Sequence, residues 1–524
     1  MLRITLIDLD YDQAELNEPL GIEMLASTIE ELAPNSVTCN LICLQIQNSN
    51  FRRVLSDLEP DIIALSTKIG SIARIKEIVS FLRPDPTQTS PLVILGGTLS
   101  TLEPENLARR FKGTICVVGE GEEAIVGITK LCLESGFPNR RLNLSKFIDA
   151  NIPNIVLSNN EKILKTHRST ISNLNTLPLP KRVLTPDILK SEGLIRAEAS
   201  RGCPWNKCTF CMINWKYASQ QWRPFDIGRI VCEAEHLSGL GASLIYYTDE
   251  EFVGINRQRI INLCRAIVEA KKNGTLSKQM RFYASTSVRS LLGMNQGNTL
   301  SDPLPMLNAM KAAGFLGLFV GIESGSDSQL DRFDKGATSN QNLAVIRAVR
   351  KAGLECDIGF IMFDPNTTIY ELEENLKFLR IAGLWTHDSR FSKRLRVVPH
   401  SRIYETLNMN RYRTFVFDTD QAEKHVPFSD WRVKVIYQAF LSWERKHLEK
   451  ILQLQGEARA TTCDAKRKKI KSVISQLRSQ DLYLLLAYTE AMKHVSGRKE
   501  AAKILHNAKK AYIEGGGRTA MERE

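Results

Sequence analysis

The sequence predicts an α/β protein built from two successive strand–helix series and a helical end. Three observations predict it. Short apolar runs alternate with amphipathic stretches over residues 1–135, a second alternation starts at Leu194, and a helical period takes over from about Asn410. The 524 residues are 43% apolar and 24% charged, a globular balance that supports more than one core.

In the first series the strands read RITLIDLD, TCNLICL, DIIALS, PLVILGG and ICVVGEG. PLGIEMLASTIEEL, SIARIKEIVSFL and PENLARRF lie among them with helical period. This order predicts a doubly wound, Rossmann-like parallel sheet over residues 1–145. Such sheets bind ligands at the carboxyl ends of their strands. Those ends carry Ser66 and Thr67, then Leu95, Gly96 and Gly97, then Gly119, Glu120, Gly121 and Glu122. Glycine there lets a ligand approach the backbone closely.

Residues 146–192 bear LPLP at Leu177–Pro180 and read as a linker or bridging hairpin. The second series occupies 193–409, with strands LIRAEAS, SLIYYTD, RFYASTSV, LGLFVGIES, CDIGFIMFD and RLRVVP. Several of its helices end in AG or LG, a natural stop. A closed barrel takes eight such units and about 250 residues, so six units predict a partial (β/α)6 TIM-type barrel with its chemistry at the carboxyl face.

Residues 410–524 read as a C-terminal helical cap, and the last stretch, GGGRTAMERE, as a disordered end. The net charge is +12, and from Trp431 onward 20 Lys and Arg stand against 10 Asp and Glu. That tail suits an anionic substrate, an acidic partner, nucleic acid, or simply a solvated helical face. No apolar run approaches the ~20 residues of a membrane helix. The start, MLRITLIDLD, is charged and strand-like, unlike a secretory signal. The eleven cysteines are an odd number, and Cys132, Cys232, Cys264 and Cys356 sit singly in apolar stretches as small core residues would. A reducing, cytoplasmic location is expected.

The stretch RGCPWNKCTFC breaks that pattern with Cys203, Cys208 and Cys211 directly after the first strand of the second series. A closed zinc site needs a fourth ligand. The next cysteine, Cys232, and the next histidine, His236, both lie in a helical stretch. A disulfide fits neither the compartment nor the odd count, and a redox pair lacks its thioredoxin-like context. A cluster of four irons held by three cysteines keeps one iron open for a ligand. Cys203, Cys208 and Cys211 are therefore the expected metal ligands.

Three clustered cysteines at the mouth of a partial barrel resemble the radical S-adenosylmethionine (SAM) enzymes. The resemblance implies a [4Fe–4S] cluster whose open iron chelates the methionine end of SAM, and one-electron cleavage to a 5′-deoxyadenosyl radical. TDEEF, with Asp249 and Glu250, stands where the family contacts the methionine amine. GIESGSD, with Glu323 and Ser324, matches a stretch that the family places near the cofactor. Phe210 matches the aromatic whose backbone meets the adenine. Ser285 and Arg289, at the end of the third strand, are further expected contacts to the nucleoside. Two departures stand out. The cysteine spacing is four then two residues where the family has three then two, and Asp364 stands in FIMFDPNTT where glycine is usual.

The amino-terminal series, with PLGIEML, PDIIALS, ILGG and VGEGEE ahead of an LPLP linker, resembles the cobalamin-binding class of this family over roughly residues 1–400. The glycine-rich strand ends then become the expected cobalamin contacts. The first histidine is His167, so no imidazole from this sheet reaches cobalt. The resemblance implies a methyltransferase that moves a methyl group from methylcobalamin to an unactivated carbon of a small molecule, an anionic one among the candidates. An external donor such as flavodoxin or ferredoxin would supply the electron. A rearrangement or cyclisation without methyl transfer is the alternative with the same cofactors, and an iron–sulfur protein binding nucleic acid through its basic tail is the alternative of another class. A methylthiotransferase needs a second three-cysteine set, and Cys39, Cys43 and Cys116 do not align with strand ends.

Overall fold

The computed structural model describes residues 1–9, 16–47, 51–82, 91–139, 142–159, 162–219, 221–294, 300–387, 389, 391–407, 426–460 and 464–514. Its first sheet contains β1 (Leu2–Asp8), β2 (Val37–Cys43), β3 (Ile62–Thr67), β4 (Leu92–Gly96), β5 (Thr114–Val117), β6 (Ile155–Asn159) and β7 (Lys162–Lys165) in the order β2-β1-β3-β4-β5-β6-β7. The first five are parallel, and β6 and β7 add an antiparallel hairpin at the edge. Ile4, Leu6, Ile94 and Ile115 bury one face against helices Leu20–Leu32 and Glu122–Glu134. Ile63, Leu65, Val93, Leu95 and Cys116 bury the other against helices on the opposite side. Both faces are covered, which is why these strands read as continuous apolar runs. Of the two readings of residues 146–192, linker or bridging hairpin, the hairpin holds for the first part, which joins this sheet as far as Lys165.

The second sheet is β8 (Ile195–Ala197), β11 (Leu244–Tyr247), β12 (Arg281–Ser287), β13 (Phe315–Glu323) and β14 (Glu355–Phe360), all parallel. Two short strands, β9 (Ser200–Arg201) and β10 (Arg223–Pro224), pair beside its first strand. The expected sixth strand differs: around RLRVVP the chain makes a single bridge, Phe363 to Arg394, and runs on as irregular backbone. Alternation in β12 and β14 puts Phe282, Ala284, Cys356 and Ile358 into the core, and Tyr283, Ser285 and Asp357 on the half-buried inner face.

Three helices, Trp431–Ala460, Asp464–Met492 and Ala501–Glu514, form the C-terminal unit. It packs on the open side of the barrel, against helix Ile369–Ile381 and the segment that would have been the sixth strand. Tyr437 meets Phe363 edge-on at 5.0 Å, and Lys493 pairs with Glu373 at 2.6 Å. The expected start near Asn410 and the GGGRTAMERE end lie outside the described residues. Cys232, expected in a core, is exposed, because helix Ile227–Gly239 buries Ile230, Glu233, Ala234 and Leu237 instead. Among the described residues no helix is long and apolar enough to cross a membrane.

Buried charge joins the two sheets. Glu18, ahead of the first helix, accepts from Arg182 at 2.7 Å, and the other end of that guanidinium reaches Glu233 on a barrel helix. Glu23 accepts the Leu184 and Val183 N–H groups at 2.8 and 3.1 Å, fixing the connection between the sheets to helix Leu20–Leu32.

Candidate cofactor sites

Cys203, Cys208 and Cys211 are partly open, whereas Cys39, Cys43, Cys116, Cys132, Cys264 and Cys356 are buried. The loop that carries them turns through Gly202 (φ +90°) and Asn206 (φ +54°). Asparagine tolerates this left-handed conformation, so the longer first spacing is absorbed as a tight turn, with Asn214 donating to Asn206 O at 2.7 Å. The loop is braced from the barrel. Thr209 N donates to Phe333 O at 2.9 Å, Trp205 Nε1 donates to Asp334 O at 2.7 Å, and Arg289 donates to Gly336 O at 2.6 Å. Phe210 packs edge-on against Phe333 at 5.3 Å, so its ring belongs to the core and only its backbone is free to meet a ligand.

Burial pushes each of the three thiols up to about 11, with the Lys335 ammonium opposing the rise at Cys208 and Cys211. Iron must therefore displace a proton from each. The three thiols influence one another's charge, yet among the described residues no three side chains close on a single ion. Three cysteines suit a cluster, in which each thiolate takes a different iron.

The acidic TDEEF motif divides its work. Asp249 is buried and accepts Ala199 N at 3.0 Å and Ser200 Oγ at 2.5 Å. Glu251 is buried and accepts Thr286 Oγ1 at 2.6 Å and Ser287 N at 2.9 Å. Glu250 faces the site. Gly202 N, next to the first cluster cysteine, donates to it at 3.3 Å, and Lys216 Nζ stands 2.5 Å away. Burial would raise the Glu250 carboxyl, but Lys216 and the Tyr217 hydroxyl together hold it below the usual range.

Ser285 Oγ lies 3.2 Å from the Tyr246 hydroxyl on the inner barrel face. Glu323 adopts φ +66° beside Lys335, 3.4 Å away. Ser324 is buried, donating to Gln329 Oε1 at 2.6 Å and accepting Ser326 N at 3.0 Å, so its side chain shapes the turn. Asp364 fixes the next turn to the same neighbourhood by accepting Arg332 Nη2 at 2.8 Å and Gln329 Nε2 at 2.7 Å. The departure from glycine thus has a structural use.

At the first sheet a slot of about 220 Å³ opens between the strands and helices Leu20–Leu32 and Glu122–Glu134. Leu6, Ile22, Leu25, Ile94 and Ile125 make its walls, and Ser66, Gly96, Gly97, Gly119 and Gly121 its rim. A Cβ at Gly21 or Gly96 would meet nothing within 4 Å. An apolar slot under a glycine rim suits a flat, largely apolar group such as part of cobalamin, with the rim residues holding it. No histidine lines it.

Other expected contacts are used differently. Thr67 is buried and ties β3 to β4, donating to Gly96 O at 2.6 Å, and Leu95 lies in the core on the far face of the sheet. Glu120 and Glu122 hold the two sheets together: Arg201 reaches Glu120 at 3.0 Å and Glu122 at 2.8 Å, and Arg223 reaches Glu120 at 3.0 Å. Burial acts to raise the Glu120 carboxyl, but the two guanidinium groups hold it low.

Helix Ile213–Lys216, directly after the cysteines, spans from one site to the other. Trp215 Nε1 donates to Thr101 O of the first domain at 2.8 Å, and its ring stacks on His400 at 3.8 Å. Lys216 and Tyr217 line the slot and also contact Glu250. Sequence reasoning missed both; the available signal was a cation and a phenol just past Cys211. A larger cavity, about 620 Å³, lies against Trp215 and His400, and its Arg109 and Lys165 are already matched to Glu105. Of the two, the smaller slot is the one with a glycine rim and apolar walls.

Comparison with protein-family models matches residues 198–379 to the Radical SAM superfamily and residues 14–129 to the B12 binding domain. The chain is a radical SAM protein with a B12-binding domain. Its cofactors are accordingly a [4Fe–4S] cluster, SAM and cobalamin. This radical SAM protein is 28% identical to 4′-phospho-dehydrooxetanocin synthase of Priestia megaterium over 62% of its own length and 43% of that relative's. It therefore spans less than half of that relative. It is 25% identical to an uncharacterized methyltransferase of Pyrococcus horikoshii over 69% of its own length and 73% of that relative's. Among solved structures, the cobalamin-dependent SAM radical enzyme OxsB with aqua-cobalamin and SAM bound shares its fold, with a TM-score of 0.79 at 20% identity, covering 98% of this chain and 75% of that one.

Proposed function

We propose that this radical SAM protein is a methyltransferase acting on an unactivated carbon of a small molecule. The observation that carries the reading is the single short helix Ile213–Lys216, which touches the cobalamin slot on one side and the SAM-facing Glu250 on the other. Two cofactor stations built into one wall suit a reaction that uses both on one substrate. When bound, the cluster with SAM supplies the hydrogen-abstracting radical, and cobalamin supplies the methyl group.

The chain's own residues hold and orient. Cys203, Cys208 and Cys211 bind the cluster, and Glu250 receives the methionine ammonium. Gly96, where an added Cβ would enter open space, lets cobalamin approach the strand ends. The substrate lies along the inner barrel face, where Tyr246 stacks on Tyr283 at 5.4 Å and Phe319 is 38% exposed despite sitting on a central strand. An exposed ring there suits an apolar part of the substrate, and Asp357, bonded by the Tyr283 hydroxyl, suits a polar one. The C-terminal unit closes the open side of the barrel and limits water there. An external one-electron donor of flavodoxin or ferredoxin type completes the requirement.

The resemblance to 4′-phospho-dehydrooxetanocin synthase favours a second reading, a rearrangement without methyl transfer, on a phosphorylated substrate. Anaerobic turnover with candidate substrates separates the two. Equal amounts of 5′-deoxyadenosine and S-adenosylhomocysteine support methyl transfer, and 5′-deoxyadenosine with a converted substrate but no S-adenosylhomocysteine overturns it.

A further inference from the structure

Lys216 belongs to two sites at once. Its side chain lines the slot of the first sheet, and its Nζ lies 2.5 Å from Glu250 Oε1. The pair is partly open, with side chains 39% and 20% exposed. Glu250 is otherwise committed, since the Tyr217 hydroxyl lies 2.9 and 3.1 Å from its two oxygens and Gly202 N donates to Oε2. Among these partners Lys216 is the cation. The methionine end of SAM also carries an ammonium, and two ammonium groups do not share one carboxylate oxygen without strong repulsion.

We propose that Lys216 is a positioning residue that competes with the methionine ammonium of SAM for Glu250, so that SAM binding releases Lys216 toward the mouth of the cobalamin slot. This inference rests on the reading that Glu250 faces SAM. The released ammonium has four methylenes of reach, and Lys216 itself lines the slot. Corrin side chains carry amide carbonyls, which accept from an ammonium. SAM and cobalamin then strengthen each other's binding through one side chain, with neither touching the other. Linkage requires the effect to be reciprocal.

The test measures binding rather than turnover. Wild type, K216M, K216R and E250Q are reconstituted anaerobically with the cluster. SAM affinity is measured by equilibrium dialysis with and without aquacobalamin, and cobalamin affinity by absorbance titration with and without SAM. In the wild type each ligand tightens the other by the same factor, about fivefold or more. K216M binds SAM about fivefold more tightly than wild type without cobalamin, because nothing need be displaced. In K216M the coupling disappears, K216R behaves as wild type, and E250Q weakens SAM in every state. The wild-type reciprocity needs no variant and stands if K216M fails to fold. Uncoupled binding of the two ligands to wild type, or equal SAM affinity in wild type and K216M, makes the pair a fixed strut and overturns the proposal. No SAM binding by a cluster-loaded wild type overturns the proposed function as well, which distinguishes the two failures.

Discussion

Arg289 lies over the ring of Trp205, 3.7 Å from its centroid, and so ties the end of β12 to the loop that carries the three cysteines. The guanidinium also donates to Gly336 O and Met294 O, on segments flanking that loop. A stack of this kind contributes about 0.5–2 kcal/mol. Replacing Arg289 with Ala should leave the sheet folded but loosen the loop. Iron per chain after reconstitution should fall, and bleaching by a chelator should quicken several-fold. Arg289→Lys, which keeps the charge but not the planar stack, should fall between. Unchanged bleaching in R289A would remove Arg289 from the account of the loop.

Gly96 and Gly97 are adjacent yet predict opposite outcomes. Gly96 is extended (φ −121°), and a side chain there would enter open space at the slot. Gly96→Leu should fold normally and lose cobalamin. Gly97 has φ +86°, and its Cβ would stand 2.7 Å from Thr67 O. Gly97→Ala should lower thermal stability whether or not cobalamin is present. Circular dichroism melts beside cobalamin titrations distinguish the two, and tight cobalamin binding by G96L would contradict the slot assignment.

The Asp249 carboxyl is pushed up to about 8 by burial, with Glu198 and Glu250 adding to the rise. The folded state therefore holds a proton that the unfolded state releases near pH 4. The contribution is fully present below that pH and is lost as pH rises to about 8. Asp249→Asn keeps an acceptor for Ala199 N, and its denaturation midpoint should fall less than that of wild type between pH 5 and 8. Parallel profiles would show that Asp249 is ionised in the folded state.

Arg182 should be the costliest single position between the two sheets. Its guanidinium is about as buried as Glu18, and removing it would leave Glu18 and Glu233 as unpaired buried charges. Breaking such a pair costs about 3–5 kcal/mol. Urea denaturation of Arg182→Ala should show that loss, and a change within error would mean that water reaches these carboxylates.

The five parallel strands of the first sheet and the barrel strands were legible because burial on both faces forces apolar runs, and their ends fell where expected. A hairpin was one of the two readings of the 146–192 stretch, but its pairing onto the edge of the first sheet was not legible, because nothing local in IVLSNNEKILK names the strand it joins. Nor was the loss of the sixth strand, because RLRVVP has strand character yet keeps a single bridge, Phe363 to Arg394. The cysteine loop was legible because three cysteines fall within nine residues directly after a strand. Glu120 and Glu122 were not, because a carboxylate at a strand end looks the same whether it awaits a ligand or an arginine 81 residues along the chain. Thr67 and Leu95 were named by their place at strand ends, but alternation turns their side chains inward.

The central claim, one chain with a cysteine-held cluster and a separate cobalamin slot, is tested most directly by iron and cobalt analysis after anaerobic reconstitution. The account predicts about four irons and one cobalt per chain in the wild type. The variant with Cys203, Cys208 and Cys211 changed to Ala should lose iron and keep cobalt, and G96L should lose cobalt and keep iron. Loss of both metals together in either variant, or a folded wild type that takes up neither, would contradict it.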